Sequence, residues 1–154
     1  MRMRLCTSAL LAASLAQGLS LPARAALGGD AASIEADRVQ LRGELRVSAP
    51  AASAAYELHE ITLPSGTVLH EYLAAGRVFA VSWRGPLMPD LQQVLGGHFA
   101  RYAQAAVHPA IRHRLVTIND PDLVVSSTGH MRAFSGRAWV PSLLPAGFSL
   151  SDIR

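Results

Sequence analysis

Between residues 56 and 83 the chain reads YELHEITLPSGTVLHEYLAAGRVFAVSW, and this stretch limits the fold more than any other. β-Branched and aromatic residues are dense in it, and the breaks are Pro64-Ser65-Gly66 and Ala74-Ala75-Gly76. The pattern predicts three strands over 56–63, 67–73 and 77–83. A parallel neighbour needs a crossover of a dozen residues or more, so links this short dictate an antiparallel meander. In the third strand Phe79, Val81 and Trp83 fall on one face and Val78 and Ala80 on the other. Both faces are apolar, which places the strand centrally in its sheet.

The first turn also sets the register. Pro64 fixes φ for the second position of a type I turn, and Gly66 takes the left-handed position of a three-residue loop. Leu63 then pairs with Thr67, His59 faces Glu71 and Glu60 faces His70. A two-residue Ser65-Gly66 loop would instead set Glu60 against Glu71, and like charges directly opposite repel. The three-residue loop therefore gives two reciprocal His–Glu pairs, one on each face.

The next segment, SWRGPLMPDLQQVLGGHFARY, turns helical. Leu91, Val94, Leu95, Phe99, Tyr102 and Ala106 form one stripe at helical spacing. Pro89 and Asp90 suit a helix start, because Pro has no N–H to orphan and Asp favours the positive end. Gly96 and Gly97 cost about 1 kcal/mol each relative to Ala. Two together point to close packing against the sheet or to a kink.

The remainder is mostly β and loop. RLVTI and LVVSS flank the turn NDPD, GHMRAFSGRAWV reads as a further strand bulged at Gly136, and PSLLPAGFSLSDIR reads as a tail laid across the domain. Upstream, GGDAASIEADRVQLRGEL reads as a short helix capped by Asp30 or Ser33, carrying Ile34, Leu41 and Leu45, and ended by Gly43. VSAPAASAA follows as a linker. The expected fold is α+β: a mainly antiparallel sheet, built from the three-stranded meander and further strands, with one main helix on one face and a short N-terminal helix. The expected organisation is a leader over 1–25, helix and linker over 26–55, and a single α+β domain over 56–154.

The leader rests on its own chemistry. Arg2 and Arg4 precede an apolar run over 5–16, and Ala23-Arg24-Ala25 has the small-x-small form of a cleavage site, so Ala26 is the expected first mature residue. The run is shorter than the roughly 20 residues a membrane-spanning helix needs. Export to the periplasm or beyond follows as the expected location. Three of the 14 basic residues, all arginine, leave with the leader, which makes the rest equal to the 11 acids. A neutral chain lacks the surplus positive charge of a nucleic-acid binder. The one cysteine, Cys6, lies in the leader, so the mature chain has no disulfide, thiol nucleophile or cysteine metal ligand.

The runs ALGGD, SGTVLHEY, VFAVSWRGPLMPDLQQVLG and MRAFSGRAWVPSLLPAGFS carry a resemblance over nearly all of the mature chain. With them the sequence resembles a proteobacterial exported family catalogued as domain of unknown function 2844. The resemblance implies a small exported domain and assigns no catalytic residue. His70 in VLHEY stands where the resemblance leads one to expect Arg.

Catalytic patterns fare poorly. HEITL and HEYLA each begin with His-Glu but lack the second histidine of the H-E-x-x-H metal motif. Neighbours on a strand point to opposite faces, so His and Glu of one dipeptide cannot converge on an ion. HPAIRH has no ligand spacing, NDPD is explained by an Asx–Pro turn, and SSTGH lacks the nucleophile elbow of a serine hydrolase. No catalytic residue, metal site or cofactor is expected. The reading is a non-catalytic accessory protein that binds an envelope protein or a small ligand, through the sheet–helix junction around Trp83, Arg84, Asp90, His98 and Tyr102. Trp83 and Tyr102 would supply flat apolar contact, and Arg84 beside the helix start would receive an anionic group. The alternative is a small periplasmic enzyme using His with Glu or Asp. It requires one cavity to hold at least two of His59, His70, His98, Glu60 and Glu71.

Overall fold

A computed structural model of the chain describes residues 27–48, 55–107 and 115–154. The expected leader and its cleavage site, most of the linker, and HPAIRH lie outside the described residues. Helix α1 (Ala31–Gln40) leads to strand β1 (Glu44–Ser48). Strands β2 (Glu57–Thr62), β3 (Val68–Ala74) and β4 (Arg77–Gly85) form the meander. Helices α2 (Leu91–Leu95) and α3 (Phe99–Ala106) follow, then β5 (Leu115–Asp120), β6 (Leu123–His130) and β7 (Ala133–Trp139). All seven strands join one antiparallel sheet in the order β1-β2-β3-β4-β7-β6-β5. The fold is α+β, and β4 sits at the centre of the sheet.

The turn chemistry sets the register as expected. Leu63 N–H donates to Thr67 O across 2.8 Å, His59 stands opposite Glu71, and Glu60 stands opposite His70. Several local expectations are corrected. Residues 44–48 form an edge strand paired with β2, where the sequence suggested the tail of a helix and the start of a linker; the partner strand, not the local pattern, decides that segment. His130 ends β6 and Met131-Arg132 makes a tight turn, so the last strand starts at Ala133. No bulge occurs at Gly136. The irregularity lies between β3 and β4, where Tyr72 pairs with Ala80 and Leu73 with Val78, leaving Phe79 as the extra residue. Phe79 therefore joins Ala80 and Tyr72 on one face, while Val78, Val81 and Trp83 pack on the other.

The stripe over 91–106 is helical but broken. Gly96 takes φ 49, and the chain passes through a 3-10 turn at Gly96–His98 before α3 begins. A left-handed φ is open to glycine at little cost, so the glycine pair supplies the kink. The helices cover the first face of the sheet, where Ile34, Leu69, Trp83, Val94, Leu95, Leu123 and Val125 share one core. The ALGGD run helps close it: Leu27 is buried, and Gly28 N–H donates to Val78 O across 2.8 Å. On the second face, the C-terminal tail packs Leu143, Leu144, Phe148 and Ile153 against Tyr72 and Phe79. Phe148 meets Phe79 edge to face at 4.8 Å between centroids. The tail thus forms a strap across that face.

Candidate functional site

The pleat sorts the five residues read as a surface. Trp83 and Arg84 are neighbours on β4 and point to opposite faces. Trp83 is 2 % exposed and lies in the first-face core over Gly136, whose missing Cβ would collide with Trp83 Cζ2. Arg84 is exposed on the second face. Asp90 caps α2, accepting from Gln92 N–H at 2.9 Å and Gln93 N–H at 3.3 Å. His98 lies against Gly28, and partial burial holds its imidazole below the usual value, with Arg101 adding to the shift and Asp122 opposing it. Tyr102 stacks on Phe99 with centroids 6.3 Å apart. The five residues do not converge: four serve the first-face core and its helices, and Arg84 stands alone across the sheet.

The second face holds a more coherent arrangement. Residues directly opposite on paired strands share a face. Following the register from strand to strand gives one polar row: Arg46, Glu60, His70, Ser82, Arg137, Ser126 and Thr117. Strands lie about 4.8 Å apart, so Glu60 and Arg137 are separated by roughly 14 Å along it. The strap crosses the middle of the row. The Arg154 main-chain oxygen accepts from Ser82 Oγ and lies 3.2 Å from His70 Nδ1. Tyr72 Oη donates to Asp152 O at 3.0 Å and accepts from Arg154 N–H at 3.0 Å.

Arg154 borders a cavity on each side. One, of about 220 Å³, is lined by Arg84, Arg137, Arg154, Ser126, Thr128 and Ser135, with Ile153 and the floor of Trp83 and Gly136. The guanidinium of Arg137 also lies 5.6 Å from the centre of the Trp139 ring. Among the described residues no Asp or Glu side chain comes within 4.0 Å of these three guanidiniums. The other cavity, of about 350 Å³, is lined by Tyr56, Glu60, His70, Tyr72 and Asp152 together with Ser48, Leu58 and Arg154. In it His70 Nε2 lies 3.2 Å from Glu60 Oε2.

Of the two reciprocal His–Glu pairs read from the sequence, one is made. His59 stands opposite Glu71, but its Nε2 turns to Glu57 Oε2 at 3.3 Å. Glu71 turns to Asp37 of α1, a residue 34 positions away that no strand register could bring to mind. Asp37 Oδ1 accepts from Gln93 Nε2 at 2.6 Å. Arg137, Ser126, Thr128 and Ser135 were missed for a simpler reason. The signal was present in SST and SGR, which alternate polar side chains onto one face, but using it required the β6–β7 turn at Met131-Arg132.

The sequence profile of one family, described as protein of unknown function (DUF2844), matches residues 23–153. The chain belongs to that family. No curated protein and no solved structure matches this DUF2844 chain. Within the described residues, no helix is long and apolar enough to cross a membrane. The DUF2844 match spans the three α-helices and the seven described strands, so the second-face row lies wholly inside the family's own sequence.

Proposed function

We propose that this chain is an exported, non-catalytic binding module of the cell envelope, and that its working surface is the strap-side face of the sheet. The observation that carries this reading is the polar row interrupted by the strap, with a cavity on either side of Arg154. The first face is filled by helices and core, whereas beside the strap the second face presents arginines, hydroxyls and a His–Glu pair at two cavities. The sheet–helix junction is a weaker surface, since Trp83 is committed to packing. Export is supported by the basic, apolar, Ala-x-Ala leader of the sequence.

The test compares which envelope components the purified chain retains. Arg84→Ala and His70→Ala alter the second face, and His98→Ala alters the first. The reading expects retention to fall for the second-face variants alone. Equal retention by all three, or loss only with His98→Ala, overturns it.

A second reading has one specific observation behind it. Glu60 and His70 meet in one cavity beside Tyr56 and Tyr72, which is the gathering a small His/Glu enzyme requires. Both nitrogens of His70 already face acceptors, Glu60 Oε2 and the Arg154 oxygen, which leaves neither free to serve as a base. Turnover of a substrate that vanishes in folded His70→Ala would establish the enzyme in place of the module.

A further inference from the structure

Resting on the strap-side reading, we infer that the cavity between Arg84, Arg137 and Arg154 is a site for a phosphoryl-type oxyanion carried on a larger polar molecule. Three arginines border a space of about 220 Å³, and no Asp or Glu lines it. Like charges so gathered raise the local potential, and an anion relieves it. Guanidinium presents donors in a planar fork that matches oxyanions, and such charge-assisted bonds are about twice as strong as neutral ones.

The rest of the lining narrows the ligand. Ser126, Thr128 and Ser135 add three hydroxyls, each able to donate to an anion oxygen. Its apolar lining is Ile153 with the floor of Trp83 and Gly136, so the polar contacts come from the arginines and these hydroxyls. The space falls below the 300 Å³ or so at which whole small-molecule sites begin, so it holds one compact group and leaves the remainder of the ligand outside. A phosphoryl group carries up to about two negative charges and three acceptor oxygens at neutral pH, a closer match to three cations than a single carboxylate.

The supports of the two ends differ. Arg137 is held, through its contact with Trp139 and a long 3.5 Å donation from Nη1 to Leu150 O. Arg84 is exposed and makes no such contact among the described residues. Arg84 is therefore the residue to change first, because its side chain is exposed.

The experiment is calorimetric titration of the full chain with inorganic phosphate and separately with glucose 6-phosphate, in chloride buffer. Wild type is expected to bind both saturably. Arg84→Ala and Arg137→Ala should each weaken binding about tenfold, the loss of one charge-assisted contact. Arg84→Lys should retain part of it, and melting temperatures should be unchanged for the Arg84 variants. Absence of saturable binding by wild type, or equal affinity in Arg84→Ala, overturns the site. If phosphate fails to bind while retention of envelope components still depends on Arg84 and His70, the oxyanion inference falls and the strap-side reading stands.

Discussion

Asp37 and Glu71 face each other in the core, 0 % and 1 % exposed, and Gln93 donates to Asp37 across 2.6 Å. As two carboxylates neither could donate, and Glu71 Oε1 and Oε2 and Asp37 Oδ2 would find no donor. One proton held between them accounts for Asp37 Oδ2 and one Glu71 oxygen. Burial is the main cause of the raised values: Asp37 is pushed up to about 6, and Glu71 well above the usual carboxylate range. The hydrogen bond between the two raises the value at Glu71 and partly offsets the rise at Asp37. The groups around the pair are Gln93 and Asp90 of the α2 region and His59 of β2, and Asp90 adds to the rise at Asp37.

This pair predicts an unusual pH dependence. Unfolded, both carboxyls titrate near 4. Folded, both titrate higher, so over the intervening range the folded chain binds more protons and stability falls as pH rises. The contribution is complete below about pH 4 and is lost as pH passes the raised values. Asp37 alone accounts for on the order of 2–3 kcal/mol. Urea unfolding at pH 4.5 and pH 7.5 checks it: the midpoint should be higher at pH 4.5.

Glu71→Gln should reduce that dependence to the part that Asp37 contributes. The amide keeps the shape, donates to Asp37 without a proton to lose, and removes the like charge. We expect the free energy of unfolding to rise by about 1–2 kcal/mol at pH 7.5 and to change little at pH 4.5. A variant that destabilises the chain equally at both values would show that shape, not charge, governs this position.

Three glycines make different demands. Gly136→Ala places a Cβ against Trp83 Cζ2 and the Ser126 carbonyl, and neither can retreat from a packed core. It should cost about 2–3 kcal/mol by chemical denaturation. Gly96→Ala should cost about 1–2 kcal/mol, because φ 49 is left-handed, while Gly97→Ala meets nothing within 4 Å and should lie within about 0.5 kcal/mol of wild type.

How far the sequence reached depends on the range of the cause. The β2–β3 register was legible because Pro64 and Gly66 act within the turn they make. The strand identity of residues 44–48 was not, because β2 imposes it from outside. The helix over 91–106 was legible as a stripe, and its break was legible only as an excess of glycine. The second-face row was latent in alternation that separates His59 from Glu60 and equally separates Trp83 from Arg84. The Asp37–Glu71 pair was illegible, since α1 delivers Asp37 to the sheet through packing that no local pattern encodes.

Strap contacts offer a further check. Tyr72→Phe removes the hydroxyl that links Asp152 O and Arg154 N–H. Loss of two hydrogen bonds at a partly buried site should cost about 1–2 kcal/mol. Amide exchange should accelerate at Asp152 and Arg154 while β3 and β4 stay protected. Unchanged exchange there would mean that apolar packing of Phe148 and Ile153 alone holds the strap.

The most direct test of the strap-side surface is chemical-shift mapping of the isotope-labelled chain during titration with glucose 6-phosphate. The account predicts that perturbations concentrate at Arg84, Ser126, Thr128, Ser135, Arg137 and Arg154. Perturbations confined to residues 90–102, on the helical face, would contradict it.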